Sequence, residues 1–207
     1  TNFTGSFSDV ITIAHELGHG YHGQCLKNET YLNSDYPMPI AETASTFCES
    51  IVKNALLKTA SKDEALIITE SDLSDSAQTI VDILSRFLFE DEVFKLRKEG
   101  SLSARELSEI MLKAQKSAYS ESLSVYHPYM WVCKPHYYDA EYNYYNFPYA
   151  FGLLLSKGLY GLYQKNGNEF VKEYNKFLNL TGKASIKDTA LSIGINLSDK
   201  TFWDLSV

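Results

Sequence analysis

Two histidines four residues apart, in His15-Glu-Leu-Gly-His19, constrain this chain more than any other feature. Only a helix stacks positions i and i+4 one turn apart on a single face. The flanking residues fit that reading. Ser6-Phe-Ser-Asp9 has capping-box spacing with Asp in place of Glu, and Val10, Ile13, Ala14, Leu17 and Tyr21 recur as one apolar helical face. A helix from Ser8 to Leu26 is predicted.

The same periodicity runs through most of the 207 residues. Asn33 to Pro39 reads as a loop, because Pro37 and Pro39 lack an N–H and push their predecessors out of the helical region. A second helix is expected from Ile40 to Thr59. Ser61-Lys-Asp-Glu64 and Ser103-Ala-Arg-Glu106 are further capping boxes. Between them Ile80, Leu84, Phe87 and Phe94 keep helical spacing up to Gly100. The stretch from Tyr126 to Pro148 holds three prolines and no helical period, so loop with a few short strands is expected there. Helices resume near Tyr149, again from Asn168 to Leu180, and once more after Ser185. The expected fold is all-α, in one domain over 1–207.

Composition narrows the partners. A net charge of −7 without clustered Lys and Arg disfavours nucleic acid, and no apolar run approaches the ~18 residues of a membrane span. Cys25, Cys48 and Cys133 are an odd, widely spaced set, which suggests neither a disulfide framework nor a thiolate metal site and suits a reducing cytoplasm. The chain starts with Thr rather than Met, so an upstream part is expected to be missing.

His-Glu-x-x-His on a helix brings two imidazoles to one zinc ion and supplies Glu16 as the base that activates its water. A catalytic zinc takes three protein ligands and leaves the fourth position to water. The longer pattern with a third histidine would need glycine at position 22 and histidine at position 25, where His22 and Cys25 stand. A carboxylate on the next helix remains, and Glu42 and Glu49, seven apart, share a face of it. We assign Glu42 as ligand and Glu49 as acceptor for the outer N–H of a ligand histidine, with the reverse assignment also open. His22 lies on the face of His19. A fourth protein ligand would displace the water, so His22 is placed outside the immediate ligands.

These segments resemble the thimet oligopeptidase and oligoendopeptidase F metallopeptidases, oligoendopeptidase F more than thimet oligopeptidase. Thr4-Gly-Ser-Phe-Ser-Asp-Val10 with His15 to His22 is similar to the active-site helix, and Glu42-Thr-Ala-Ser-Thr-Phe-Cys-Glu49 to the helix giving the third ligand. Lys134-Pro-His-Tyr-Tyr138 and Tyr145-Asn-Phe-Pro-Tyr-Ala-Phe-Gly152 are similar to the segment that meets substrate and transition state. The resemblance implies a zinc endopeptidase for short unfolded peptides, built of two mostly helical lobes, of which this chain is the C-terminal catalytic portion. It implies His15, His19 and Glu42 as zinc ligands and Glu16 as general base. It further implies Tyr149 and His136 as groups facing the reacting carbonyl, with Tyr145 ranked above Tyr138 beside them.

Other residues are read as ordinary structure. Tyr137, Tyr142 and Tyr144 are expected to pack their rings, Cys25 and Cys48 to act as small apolar groups, and Glu90-Asp-Glu92 to be a solvated helix face. Two rival functions stay in view: a zinc carboxypeptidase or dipeptidase of related helical fold, and a zinc-binding fragment that acts only as a structural module.

Overall fold

The computed structural model describes residues 2–206. The fold is all-α, and no strand occurs among the described residues. The helices are α1 Phe7–Leu26, α2 Met38–Ala41, α3 Thr43–Leu57, α4 Lys62–Ala77, α5 Ile83–Leu96, α6 Ala104–Ala118, α7 Phe147–Asn166, α8 Glu169–Leu180, α9 Ile186–Leu191 and α10 Lys200–Trp203. The Tyr-rich stretch contains short 3₁₀ turns at Met130–Cys133 and Pro135–Tyr138 in place of the expected strands, as befits prolines that withhold the donors a ladder needs. None of the described helices is long and apolar enough to cross a membrane.

The capping boxes form as their sequences require. Ser6 accepts from Asp9 N while the Asp9 carboxylate accepts from Ser6 N, and Ser103 and Glu106 do the same at α6. The second helix expected from Ile40 is interrupted at Glu42, whose φ of −84° and ψ of −2° separate α2 from α3. A π turn at Gln78–Asp82, invisible to a 3.6-residue period, joins α4 to α5.

The chain divides into two compact units, Thr1–Glu70 with Phe151–Val207 and Ser71–Ala150. In the first, Ile40, Ala44, Phe47, Leu155, Leu159, Phe177 and Leu178 are fully or nearly fully buried, with Phe47 stacked on Tyr174 at 4.3 Å between ring centroids. In the second, Phe89, Ile110, Met111 and Ala114 form a smaller core against which Trp131 and Tyr137 pack.

Of the apolar face the sequence suggested for α1, only Ala14 is buried. Ala14, Gly18, His22 and Leu26 are buried, whereas Val10, Ile13 and Tyr21 are exposed and Leu17 is 65% exposed. The reason is distance: a Cβ on residue 18 would lie 2.5 Å from Ala44 O and from Ser45 Cα. Only glycine admits α3 that closely, so small residues set the seam and the large ones turn outward.

Candidate metal centre

Three donor atoms converge where α1 meets the start of α3. His15 Nε2 lies 3.2 Å from His19 Nε2 and 3.3 Å from Glu42 Oε2, and His19 Nε2 lies 3.7 Å from Glu42 Oε2. Ligands held about 2.05 Å from a tetrahedral zinc stand about 3.3 Å from one another, so these spacings suit three corners of such a site. Within the described residues this trio is the group of three whose geometry could hold a metal ion.

Each donor is held by its surroundings. Ser45, fully buried, donates to Glu42 O at 2.9 Å and to Glu42 Oε2 at 3.1 Å, which aims the carboxylate. Gly152 on α7 makes room for it, since a Cβ there would stand 3.3 Å from Glu42 Cβ. On the far side of His15, Glu49 Oε1 takes the Nδ1 proton at 2.7 Å, leaving Nε2 to face Glu42 and His19. The two glutamates thus occupy different sides of one imidazole, a division that spacing alone left open. Lys53, buried one turn further along α3, pairs with Glu49 Oε2 at 3.3 Å.

The electrostatics suit a cation. Glu42 foremost, and Glu49 with it, raise His15 to about 10, and the Glu42 carboxyl is pulled below its usual range chiefly by His15. A field that binds a proton so firmly favours a metal ion in its place. Glu16, next to His15, is exposed and makes no hydrogen bond or ion pair with the described residues.

His22 belongs to the packing. Its Nε2 bonds Thr181 Oγ1 at 2.9 Å and its ring stacks on Tyr36 at 4.1 Å. Thr181 gives its own proton to Leu178 O, so His22 is the donor and its buried Nδ1 has no partner. Burial lowers its pKa to about 4.

The remaining expected residues lie in the second unit, where His136, Tyr145 and Tyr149 come together. The His136 and Tyr145 rings are 5.6 Å apart, and the Tyr145 and Tyr149 hydroxyls 3.3 Å apart. Tyr138 is exposed and donates to Trp131 O at 3.3 Å. Tyr137 packs on Phe89, and Tyr144 on Phe87 and Phe94. Glu90 corrects the expectation of a solvated face: it is 7% exposed and accepts the Tyr144 N–H at 2.7 Å. Tyr144 sits at φ +54°, which turns its amide toward that carboxylate. Asp82, Arg86 and Asn146, which bond to one another and to His136, carry no motif and were missed. Their only local signal is the i, i+4 spacing of Asp82 and Arg86.

Two imidazoles from α1 and a carboxylate from the α2–α3 junction converge on one point, with the exposed Glu16 carboxylate next to His15 in sequence, and this donor set could hold a metal ion. The chain belongs to peptidase family M3, which it matches over residues 1–206. It is similar to the oligoendopeptidase F homolog of Lactococcus lactis subsp. lactis strain IL1403, 27% identical over 210 residues that cover 98% of this chain and 34% of that protein. A crystal structure of a peptidase candidate from Chlamydophila abortus matches with a TM-score of 0.83 at 25% identity, covering 99% of this chain and 36% of that one. Oligoendopeptidase-F from Enterococcus faecium has the same fold, with a TM-score of 0.76 at 21% identity over 95% of this chain and 36% of its own. The chain spans about a third of the length of the relatives it matches.

Proposed function

We propose that this chain is the C-terminal catalytic portion of a cytoplasmic zinc oligoendopeptidase that cleaves short unfolded peptides. The observation that carries the reading is the convergence of His15, His19 and Glu42 at spacings of 3.2, 3.3 and 3.7 Å. Zinc held by these three would lower the pKa of its water toward ~7 and polarise the scissile carbonyl. Glu49 fixes the His15 tautomer by accepting at Nδ1. The Glu16 carboxylate, unengaged and exposed, takes a proton from the attacking water and passes it to the leaving amine nitrogen. Tyr149 and His136 donate to the developing oxyanion, with the Tyr145 hydroxyl beside Tyr149. The remaining two-thirds of a relative's length supplies the second lobe of the substrate channel, and that lobe is the chain's principal partner.

The test is metal content together with cleavage of an internally quenched peptide, for the unchanged chain and for Glu16→Gln. Zinc in both, with cleavage by the unchanged chain alone, supports the assignment. A chain that holds zinc and cuts nothing is a metal-binding module without the second lobe, trimming from a chain end marks a carboxypeptidase or dipeptidase, and a chain that takes up no zinc sinks the proposal.

A further inference from the structure

His136 is held by a chain of side chains with no slack in its hydrogen-bond directions. The π turn at Gln78–Asp82 leads into α5 and leaves Asp82 buried, one turn before Arg86. The Arg86 guanidinium donates to Asp82 Oδ2 and to Asn146 Oδ1. Asn146, itself 7% exposed, meets His136 Nε2 with its Nδ2 at 2.8 Å.

The proton positions follow from what each group is able to do. A guanidinium has five donors and no acceptor, so the atom of Asn146 facing Arg86 must be its carbonyl oxygen. The amide NH₂ therefore faces His136, and an NH₂ in this plane only donates. His136 Nε2 must accept, which places its proton on Nδ1. A proton on Nε2 would set two donors against each other at 2.8 Å and strand both. The ring thus stays neutral, with one N–H. The His136 side chain makes no other hydrogen bond among the described residues, so that N–H is uncommitted.

We propose that Asp82, Arg86 and Asn146 are positioning residues that lock His136 as a neutral Nδ1–H donor, so that it serves a substrate oxygen as a hydrogen-bond donor and not as a base. The role toward substrate rests on the peptidase reading above; the locked tautomer does not. The charges around the ring point the same way. Burial first, then Arg86 and Lys134, lower the His136 pKa. Tyr137 at 4.3 Å and Tyr145 at 5.6 Å present neutral rings. Glu90 and Asp139 line the same cavity of about 580 Å³, but Glu90 is committed to Tyr144 N and its own pKa is raised by burial. A neutral donor keeps its strength across the pH range in which an ordinary imidazole would switch between one donor and two.

The tautomer is read from two-bond ¹H–¹⁵N correlation spectra of the five imidazoles in labelled protein, with His136 assigned by its loss in His136→Gln. The expected result is an Nδ1–H signature for His136, unchanged from pH 8 down past the ordinary histidine value. In Asn146→Asp a carboxylate faces Nε2, and the signature should move to a proton on that nitrogen; Asn146→Ala should drift toward the same form. The other four histidines report whether each variant remains folded. An Nε2–H or doubly protonated His136 in the unchanged chain at pH 7 overturns the proposal even if no variant folds. So does an Asn146→Asp protein that stays folded and keeps the Nδ1–H signature. No peptide or metal is needed, so a chain that fails to cleave would sink the peptidase reading and leave the tautomer result standing.

Discussion

Replacing Gly18 by alanine would disturb the proposed metal centre without touching a ligand. The added Cβ would stand 2.5 Å from Ala44 O, 2.5 Å from Ser45 Cα and 2.8 Å from Ala44 C, where ordinary contact begins at 3.4 Å. All three are backbone atoms of α3, so no rotamer change makes room and the helices must part by about 0.9 Å. Overpacking of this kind costs about 1–3 kcal/mol of stability. The effect on metal is the more diagnostic one. His15 and His19 ride on α1 while Glu42 is tied to α3, so the separation enters the 3.3 and 3.7 Å donor distances directly. Ligand distances in a working site hold to about 0.2 Å. Zinc affinity, read by competition with a chromophoric chelator, should fall at least about tenfold, roughly 1.4 kcal/mol. Gly23→Ala is the control, because its Cβ meets nothing within 4 Å. It should bind zinc normally and melt at or above the wild-type temperature, since alanine is about 0.8–1.0 kcal/mol better than glycine inside a helix. A Gly18→Ala protein with unchanged zinc affinity, or a Gly23→Ala protein that loses as much, would refute the close-approach argument.

Two further outcomes are expected. Glu49→Gln removes the carboxylate that accepts from His15 Nδ1 and should weaken zinc binding about 10–100-fold while Glu42 stays in place, measurable by the same competition; undiminished affinity would mean that Glu49 does not orient the ligand. The second concerns acid. His22 has a folded pKa of about 4 against an ordinary 6.5, so below pH 6.5 the unfolded chain takes up a proton that the folded chain refuses until about pH 4. Stability is therefore lost as pH falls through that window, by about 3 kcal/mol at most, from a shift worth 1.36 kcal/mol per unit. Urea unfolding of the metal-free protein at pH 7 and pH 4.5 should show a steeper loss for the unchanged chain than for His22→Gln; equal losses would remove His22 from the account.

How much of this was legible beforehand depended on the range of the interaction. Helices opened by Ser6, Ser61 and Ser103 were readable because each cap bonds a residue three positions on. The His15 and His19 pair was readable for the same reason, being one turn apart. Glu42 and Glu49 were found as a pair and assigned as ligand and outer acceptor, but spacing left the reverse open, because their difference lies in which side of the His15 ring each occupies. The turn of α1 was misread for a related reason: hydropathy weights Leu17 and Tyr21, while the seam was decided by the missing side chain of Gly18. Glu90 looked like any surface acid because its acceptor role depends on the Tyr144 amide, 54 residues later. The Arg86 to Asn146 bond spans 60 residues and has no local sign at all.

The exposed flank of α1 bears on how substitutions would be tolerated along it. In a saturation library scored for folding of this chain, the intolerant positions would be Ala14, Gly18, His22 and Leu26, an unremarkable set by hydropathy. Val10, Ile13 and Leu17 would accept polar replacements with little penalty, whereas Tyr21 would lose its hydrogen bond to Asn175 and its stacking on Tyr174. The tolerance profile would thus run out of phase with the hydropathy profile by roughly a third of a turn. A consensus drawn from such a library would be a more soluble helix that keeps His22 at the seam.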